Sequence, residues 1–197
     1  WVDIIGNLVH DVGNYGSGCR WLHGIYMSTY GTIKNNVVYR SGFAGIVMGH
    51  DCSYIHVANN TIVQNGTGIH INGNGFYHST TMLADHIHVH NNICVDNIEC
   101  GIRTGGNPGP NNTFNNNVLF NNGVGTGNYG NISVRNYASN TGNFVGDPLF
   151  VNKAGRNYHL TAGSPARNRG LSLYAPPLDY DKVVRGSSID CGAYEFV

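Results

Sequence analysis

The sequence predicts an all-β protein folded as a parallel β-helix, a coil of short strands in which each repeat makes one rung. Two segments recur in the same order along the chain: a glycine followed by isoleucine, and an asparagine followed by apolar residues. The basic repeat is about 22 to 25 residues long, a period typical of solenoids. Strands of about three to five residues cannot bury a face alone, but stacked copies can.

The first repeated strand places apolar residues at alternate positions. In residues 45–48 the two-residue period of a strand directs Ile46 and Met48 to one side and Val47 to the other. The same pattern returns in successive repeats, which predicts a continuous core inside the coil. The copies are residues 24–27, 45–48, 68–71, 101–104 and 131–134.

Asparagine marks one corner of each repeat. Glycine and asparagine number 28 each, and both tolerate the left-handed backbone of tight corners. A stack of corner asparagines can satisfy buried peptide groups from rung to rung, and ligand binding is the alternative role for them. The predicted asparagine ladder consists of Asn36, Asn60, Asn92 and Asn117.

One domain is predicted, with rungs over residues 1–145 and an irregular capping segment over residues 146–197. This length suits about six to seven rungs. The tail should cover the last rung, because an open edge would pair with another chain. Cys94 and Cys191 are expected to be core thiols, and pairing of Cys19 with Cys52 is left open.

The charge balance limits the classes of partner that the sequence suits. Lysine plus arginine and aspartate plus glutamate number 11 each, so the formal net charge is zero. No basic patch is visible, which argues against nucleic acid as a partner. No apolar run approaches the length of a membrane span.

Two neighbouring rungs are lengthened at the same corner, by residues 72–85 and 104–112. Solenoids place such insertions on their binding face, and neutral surface loops are the alternative. Below these loops, Tyr26, His70 and Arg103 should stack in one outward row at about 4.8 Å per rung. Aromatic rings, hydrogen-bonding groups and a cation for a carboxylate suit a sugar groove.

Three of these residues, Tyr26, His70 and Arg103, are the predicted catalytic residues. A solvated sheet face is the alternative interpretation of the same row. The predicted substrate-binding residues are His23, His50, Asp51 and Asn72.

Histidines alternate along a second strand, in residues 85–90. His88 should lie next to His56 of the preceding rung, and His-x-His on a strand is a geometry that binds metal ions. His56, His86 and His88 are therefore a candidate transition-metal site. Stacking of like side chains for packing is the alternative.

The tail carries a family resemblance. Its segments DPLFVN, YHLTAGSPARNRG and SSIDCGAYEF resemble the C-terminal end of bacterial secreted right-handed parallel β-helix repeat proteins of the pectate-lyase-like superfamily. The resemblance implies a right-handed coil, a secreted or cell-surface location and an acidic or complex polysaccharide as partner. The paired aspartates of polygalacturonases, the Asp-Pro-His-Glu of alginate epimerases and an acidic cluster for lyase calcium are not found in this sequence.

The expected function is binding of an acidic polysaccharide, with cleavage by β-elimination. A lyase is favoured over a hydrolase because Glu99 and Glu195 are the only glutamates, which leaves few candidates for a two-carboxylate glycosidase. A calcium ion or a histidine-bound transition metal would be the cofactor. The alternative is a non-catalytic structural or adhesive surface or filament module, which would self-associate.

Overall fold

The computed structural model describes residues 1–13, 21–50, 52–73, 83–125 and 127–197. The described residues form 18 β-strands and no helix. In chain order the strands are β1 (Val2–Ile5), β2 (Leu8–His10), β3 (Ile25–Met27), β4 (Gly31–Lys34), β5 (Val37–Tyr39), β6 (Ala44–Gly49), β7 (Ser53–Ala58), β8 (Thr61–Val63), β9 (Thr67–Gly73), β10 (Asp85–His90), β11 (Ile93–Val95), β12 (Cys100–Gly106), β13 (Thr113–Asn115), β14 (Val118–Phe120), β15 (Gly130–Ser133), β16 (Phe144–Val145), β17 (Phe150–Asn152) and β18 (Asn157–Leu160).

The strands form three parallel sheets, and each rung contributes one strand to each sheet. Sheet A has the order β1-β4-β7-β10-β13, sheet B β16-β14-β11-β8-β5-β2, and sheet C β15-β12-β9-β6-β3. Within the described ranges this makes five complete rungs and the start of a sixth, near the lower end of the predicted number. The predicted parallel β-helix is confirmed. Outside the coil, β17 and β18 pair as an antiparallel hairpin.

The interior of the coil is an apolar core built from the alternate positions of all three sheets. Ile46 and Met48 are fully buried, as their alternation predicts. Equivalent positions pair in register from rung to rung, for example Ile46 with Ile69 and Ile69 with Ile102. Burying each such side chain contributes about 1.5 to 3 kcal/mol.

The asparagine ladder at the corner between sheets A and B is present and longer than predicted. In each step the side-chain oxygen of one asparagine accepts hydrogen bonds from the main-chain N–H and the side-chain amide of its predecessor, at 2.8–3.0 Å. Four of its members are fully buried. The ladder runs through Asn7, Asn36, Asn60, Asn92, Asn117 and Asn143.

A second ladder, which the sequence analysis missed, lies at the corner between sheets B and C. It links Asn65, Asn97, Asn122 and Asn131 in the same way. This ladder explains the recurring glycine before isoleucine. A Cβ atom on Gly68 would stand 3.0 Å from the side-chain amide of Asn97 and would also meet the main chain of the next rung.

The residue before each first-ladder asparagine has a left-handed backbone. Asn35, Asn59, Asn91 and Asn116 have φ angles between 53° and 58°. Asparagine tolerates this conformation better than most residues. The Asn-Asn pairs of the sequence therefore divide two tasks: the first residue turns the corner and the second enters the ladder.

The tail after Gly146 packs along the side of the coil, against sheet B. The left-handed corner asparagines hold its main chain: Asn59 donates to the carbonyl of Asp190 at 2.9 Å, and Asn116 donates to that of Arg169 at 2.8 Å. A second apolar cluster joins outward residues of sheet B to tail residues. It contains Val37, Tyr39, Val63, Ile93, Val95, Val118, Tyr158, Leu160, Ala166, Cys191, Ala193 and Tyr194.

The tail is anchored by a buried ion pair between Arg185 and Glu195. Arg185 also donates to the side-chain oxygen of Asn35 at 2.9 Å, and Glu195 accepts from the main-chain N–H of Asp190 at 3.0 Å. Removal from water makes such a pair costly unless its remaining groups are hydrogen-bonded, and here Nε of Arg185 alone has no partner among the described residues. The bond from Arg185 to Asn35 fixes this part of the tail against the corner between β4 and β5.

Cys94, Cys100 and Cys191 are free thiols. Cys94 and Cys191 are buried as expected, and burial raises the pKa of the Cys94 thiol well above its usual value. Cys52 is also buried. Its suggested partner, Cys19, lies outside the described residues. The part of the chain that the structure describes contains no helix long and apolar enough to cross a membrane.

Candidate functional site

The outward row of sheet C has the register that the sequence predicts. Tyr26 pairs with Val47, Val47 with His70, His70 with Arg103, and Arg103 with Ser133. The row crosses all five rungs, because each residue occupies the same position in its strand.

A groove of about 580 Å³ lies over the later part of this row. Three predicted site residues line it, namely His70, Asn72 and Arg103. The other described residues at its surface were not predicted. They are Trp21, Phe43, Glu99, Gly105, Gly106, Gly127, Asn128 and Tyr129.

Arg103 is held in place from two sides. Its Nη1 atom lies 3.3 Å from Oε2 of Glu99, and its guanidinium carbon lies 4.0 Å above the centre of the Tyr129 ring. Glu99 is also within 3.4 Å of the Thr67 hydroxyl. The charges of Arg103 and Glu99 offset each other, but a guanidinium has five N–H donors, and a single carboxylate leaves several of them for a ligand.

His70 forms the floor of the groove. Its side chain is only 5% exposed, and neither ring nitrogen has a hydrogen-bond partner among the described residues. Burial, and secondly the nearby Arg103, lowers the pKa of His70 to about 3, so the imidazole is neutral at neutral pH. An unsatisfied buried polar group is costly, and a ligand that supplies hydrogen bonds would remove that cost.

Gly105 lies against His70 and Asn72, and the lack of a side chain there leaves room beside their polar atoms. A Cβ atom at Gly105 would stand 2.9 Å from Nε2 of His70 and 2.9 Å from Oδ1 of Asn72. Gly105 pairs with Asn72 in the sheet, so the three residues form one polar patch.

The remaining predicted residues of this face lie beside the groove. The His23 ring lies 5.4 Å from both Tyr26 and Phe43, and Phe43 lies 5.9 Å from His70. His50 packs at 5.9 Å from Tyr26 on the far side. A line of ring contacts through His23, Tyr26 and His50 therefore extends from the groove, but these residues do not form its lining. Asp51 lies outside the described residues, as does most of the insertion over residues 72–85.

The histidines of sheet A are only partly arranged as predicted. His56 and His88 are neighbours in register, with ring centres 5.2 Å apart. His86 instead stacks on Tyr54 at 4.6 Å, because both residues have left-handed backbones that turn them away from the strand alternation. No group of three or more His, Cys, Asp or Glu side chains in the described ranges could hold a metal ion. The structure therefore does not assemble the predicted set of His56, His86 and His88.

Six of the eight lining residues that the sequence analysis missed lie outside the strands, whereas Gly105 and Gly106 end β12. Trp21 precedes the first strand of sheet C, and Tyr129 precedes the last. Glu99 directly precedes Cys100 at the start of β12, four residues before Arg103; this spacing makes neighbours on a helix but not along a strand, so no sequence signal pairs them. Trp21 is 85% exposed, which is unusual for tryptophan outside a binding surface.

Comparison with protein-family models gives no match to this chain, and comparison with curated proteins gives none either. The chemistry of the groove therefore carries the functional conclusion.

Proposed function

We propose that the groove on sheet C binds a polysaccharide that contains acidic sugars. The observation that carries this proposal is the combination of Arg103 and the unpartnered, neutral His70 in one groove beside exposed aromatic rings. Aromatic faces stack on sugar rings, and guanidinium groups bind carboxylates. The resemblance of the tail to secreted pectate-lyase-like β-helix proteins supports the same ligand class and an extracellular location.

The groove also suits cleavage by β-elimination. Arg103 would bind the sugar carboxylate and stabilise the negative charge that develops on it when the neighbouring carbon loses its proton. His70 would take that proton on a ring nitrogen, with the bound carboxylate offsetting the Arg103 charge that helps to lower the pKa of the free imidazole. The electrons of the broken C–H bond form a C=C bond, the C–O bond to the next sugar breaks, and the leaving oxygen takes a proton from water.

Of the three predicted catalytic residues, His70 suits the base best. Arg103 supplies a guanidinium that suits binding of a carboxylate, so it serves as the cation rather than the base. Tyr26 lies outside the groove lining.

The test is incubation with pectate, alginate and chondroitin, with calcium or with EDTA, while the absorbance of unsaturated products is followed. We expect a rise that Arg103→Ala and His70→Gln abolish. Arg167→Ala, which removes the same charge from the tail, should keep the activity. Unchanged absorbance together with no binding in titration calorimetry would contradict the proposal, whereas binding without products would leave a carbohydrate-binding protein.

A structural or adhesive module is the second candidate, and one observation favours it. Trp1 and Tyr30 directly precede β1 and β4, and Tyr54 is the second residue of β7; the strand register places the three at equivalent positions in successive rungs of sheet A. All three are more than half exposed. Large exposed aromatic surfaces mark interaction sites. This candidate predicts self-association, which sedimentation velocity would detect and Tyr54→Ser would weaken.

A further inference from the structure

Part of the tail crosses the coil as a strap, residues 169–178. Its main chain is held at three rungs: Asn116 binds the Arg169 carbonyl at 2.8 Å, Asn91 binds Leu171, and Asn35 binds the Leu178 carbonyl. The contact of Asn91 is double, since its side chain donates to the Leu171 carbonyl and accepts from the Leu171 N–H, both at 2.8 Å. The strap thus runs back over the rungs.

Between these hydrogen-bonded positions of the strap, Tyr174 packs on three histidines of sheet A. Its ring is stacked on His88 with centres 5.1 Å apart, meets His56 edge-on at 4.1 Å and lies 5.4 Å from His90. The backbone of Tyr174 is left-handed, with φ of 70°. A tyrosine rarely adopts this conformation, so the contact with the histidines has to offset some strain.

One hydroxyl links two of the histidines. Nδ1 of His88 and Nε2 of His90 both lie 2.7 Å from the Thr113 hydroxyl. While both rings are neutral, the hydroxyl can donate to one imidazole and accept from the N–H of the other. A proton on both rings removes both imidazole acceptors, so the hydroxyl can only accept from them and its own proton needs another partner.

The charged groups around the cluster oppose its protonation. Lys34 acts on His56 from the neighbouring strand β4, His86 acts on His88, and His56 and His88 act on His90. Within the described ranges, Asp85 is the carboxylate that favours a proton on His88. The same carboxylate accepts a hydrogen bond from Asn111 and lies 3.3 Å from Nδ1 of His86. The uncharged indole ring of Trp1 also packs on the cluster, with its centre 6.4 Å from that of the His56 ring.

Burial is the largest cause of low basicity in all three rings. It lowers the pKa of His56 and of His90 to about 4, and it lowers the pKa of His88. A histidine whose pKa is lower in the closed state than in the open state binds fewer protons when closed. The closed state therefore loses stability as the pH falls from about 6.5 toward the lower value.

We propose that Tyr174 and the three histidines form an acid-sensitive latch, which holds the strap while the imidazoles are neutral and releases it when they take up protons. Release uncovers the outer face of sheet A and the corner at Asn91. The groove is built on sheet C, so the latch opens without dismantling it.

The test is amide hydrogen exchange of residues 169–178, measured by mass spectrometry between about pH 7 and about pH 4.5 and divided by the exchange of the unfolded peptide. We expect the protection of the strap to fall at least about tenfold over this interval, because at least two groups gain protons on opening. Protection of β11, in the middle of sheet B, should stay far above that of the strap at every pH, although it also falls toward acid because buried His70 lowers the global stability.

The double variant His56→Gln/His88→Gln should lose most of the pH dependence of the strap, since glutamine does not titrate. Tyr174→Ala, which keeps the histidines, should show low strap protection already at pH 7. A strap whose protection is unchanged at pH 4.5 in the wild type, or falls equally in the double variant, would overturn the latch. Strap protection equal to that of β11 at each pH would show exchange through global unfolding and would overturn the latch as well.

Discussion

The side-chain oxygen of Asn92 accepts two hydrogen bonds from Asn60, one from its main-chain N–H at 3.0 Å and one from its side-chain amide at 2.9 Å. Asn92 donates in turn to Asn117, to the Val57 carbonyl and to the His90 carbonyl. One residue therefore satisfies polar groups in three rungs, in a place that water does not reach.

Replacing Asn92 by leucine should destabilise the protein by about 3 kcal/mol or more, because several buried donors and acceptors lose their partners at once. Urea unfolding, followed by circular dichroism, would measure this change in the free energy of unfolding. Asn128→Ala, at a partly exposed asparagine whose side chain donates to a loop carbonyl, should change the stability by less than about 1 kcal/mol. Equal losses of stability in the two variants would mean that the ladder hydrogen bonds contribute no more than that of a surface loop.

Adding a methyl group at Gly105 should block the groove floor. The new Cβ would crowd Nε2 of His70 and Oδ1 of Asn72, each at 2.9 Å, so we expect saccharide affinity to fall at least about tenfold. Gly186→Ala is the matched control, since its Cβ meets nothing within 4 Å. Unchanged binding by Gly105→Ala in titration calorimetry would place the ligand elsewhere.

Breaking the buried ion pair of the tail should be costly. Glu195→Gln leaves the Arg185 charge buried without a compensating carboxylate, and we expect a loss of about 3 to 5 kcal/mol in the free energy of unfolding. Lys153→Gln removes one partner of the more exposed pair with Asp96 and should cost at most about 1 kcal/mol. The comparison fails if both substitutions shift the urea midpoint equally.

His70 should make the protein sensitive to acid. Its pKa is about 3 when folded, so the unfolded chain binds the extra proton from about pH 6.5 downward and the stability falls as the pH is lowered toward 3. His70→Phe should reduce this slope in unfolding experiments at a series of pH values. Asn72→Ala, a neighbouring change without a titratable group, should keep the slope of the wild type. A His70→Phe slope equal to that of the wild type would contradict the assignment.

The coil was predictable because its repeats are local. A two-residue period, a corner asparagine and a fixed order of segments identify the rungs, the core positions and the first ladder. Register then follows, which is why Tyr26, His70 and Arg103 fall in one row as expected. The recurring glycine was visible too, but its reason was not, since no repeated pair marks the second ladder: its asparagines follow Gln64, Asp96, Asn121 and Gly130.

The groove was only half predictable for the same reason. His70, Asn72 and Arg103 belong to regular strands, whereas Trp21, Phe43 and Tyr129 reach the groove from segments that precede strands and have no periodic signature. His86 departs from the alternation because its backbone is left-handed, which the residue type does not reveal. Tyr174 meets the histidines through a tail that has no repeat at all.

Solenoids usually unfold a few repeats at a time, since each repeat contacts only its neighbours. Here the tail bridges distant rungs: Arg185 binds Asn35, which is 150 residues earlier, and Asn59 binds Asp190 across 131. Such long connections slow folding, because the chain must close large loops before these contacts form. They also couple early rungs to late ones, so the molecule should melt in one cooperative transition, as a compact domain does.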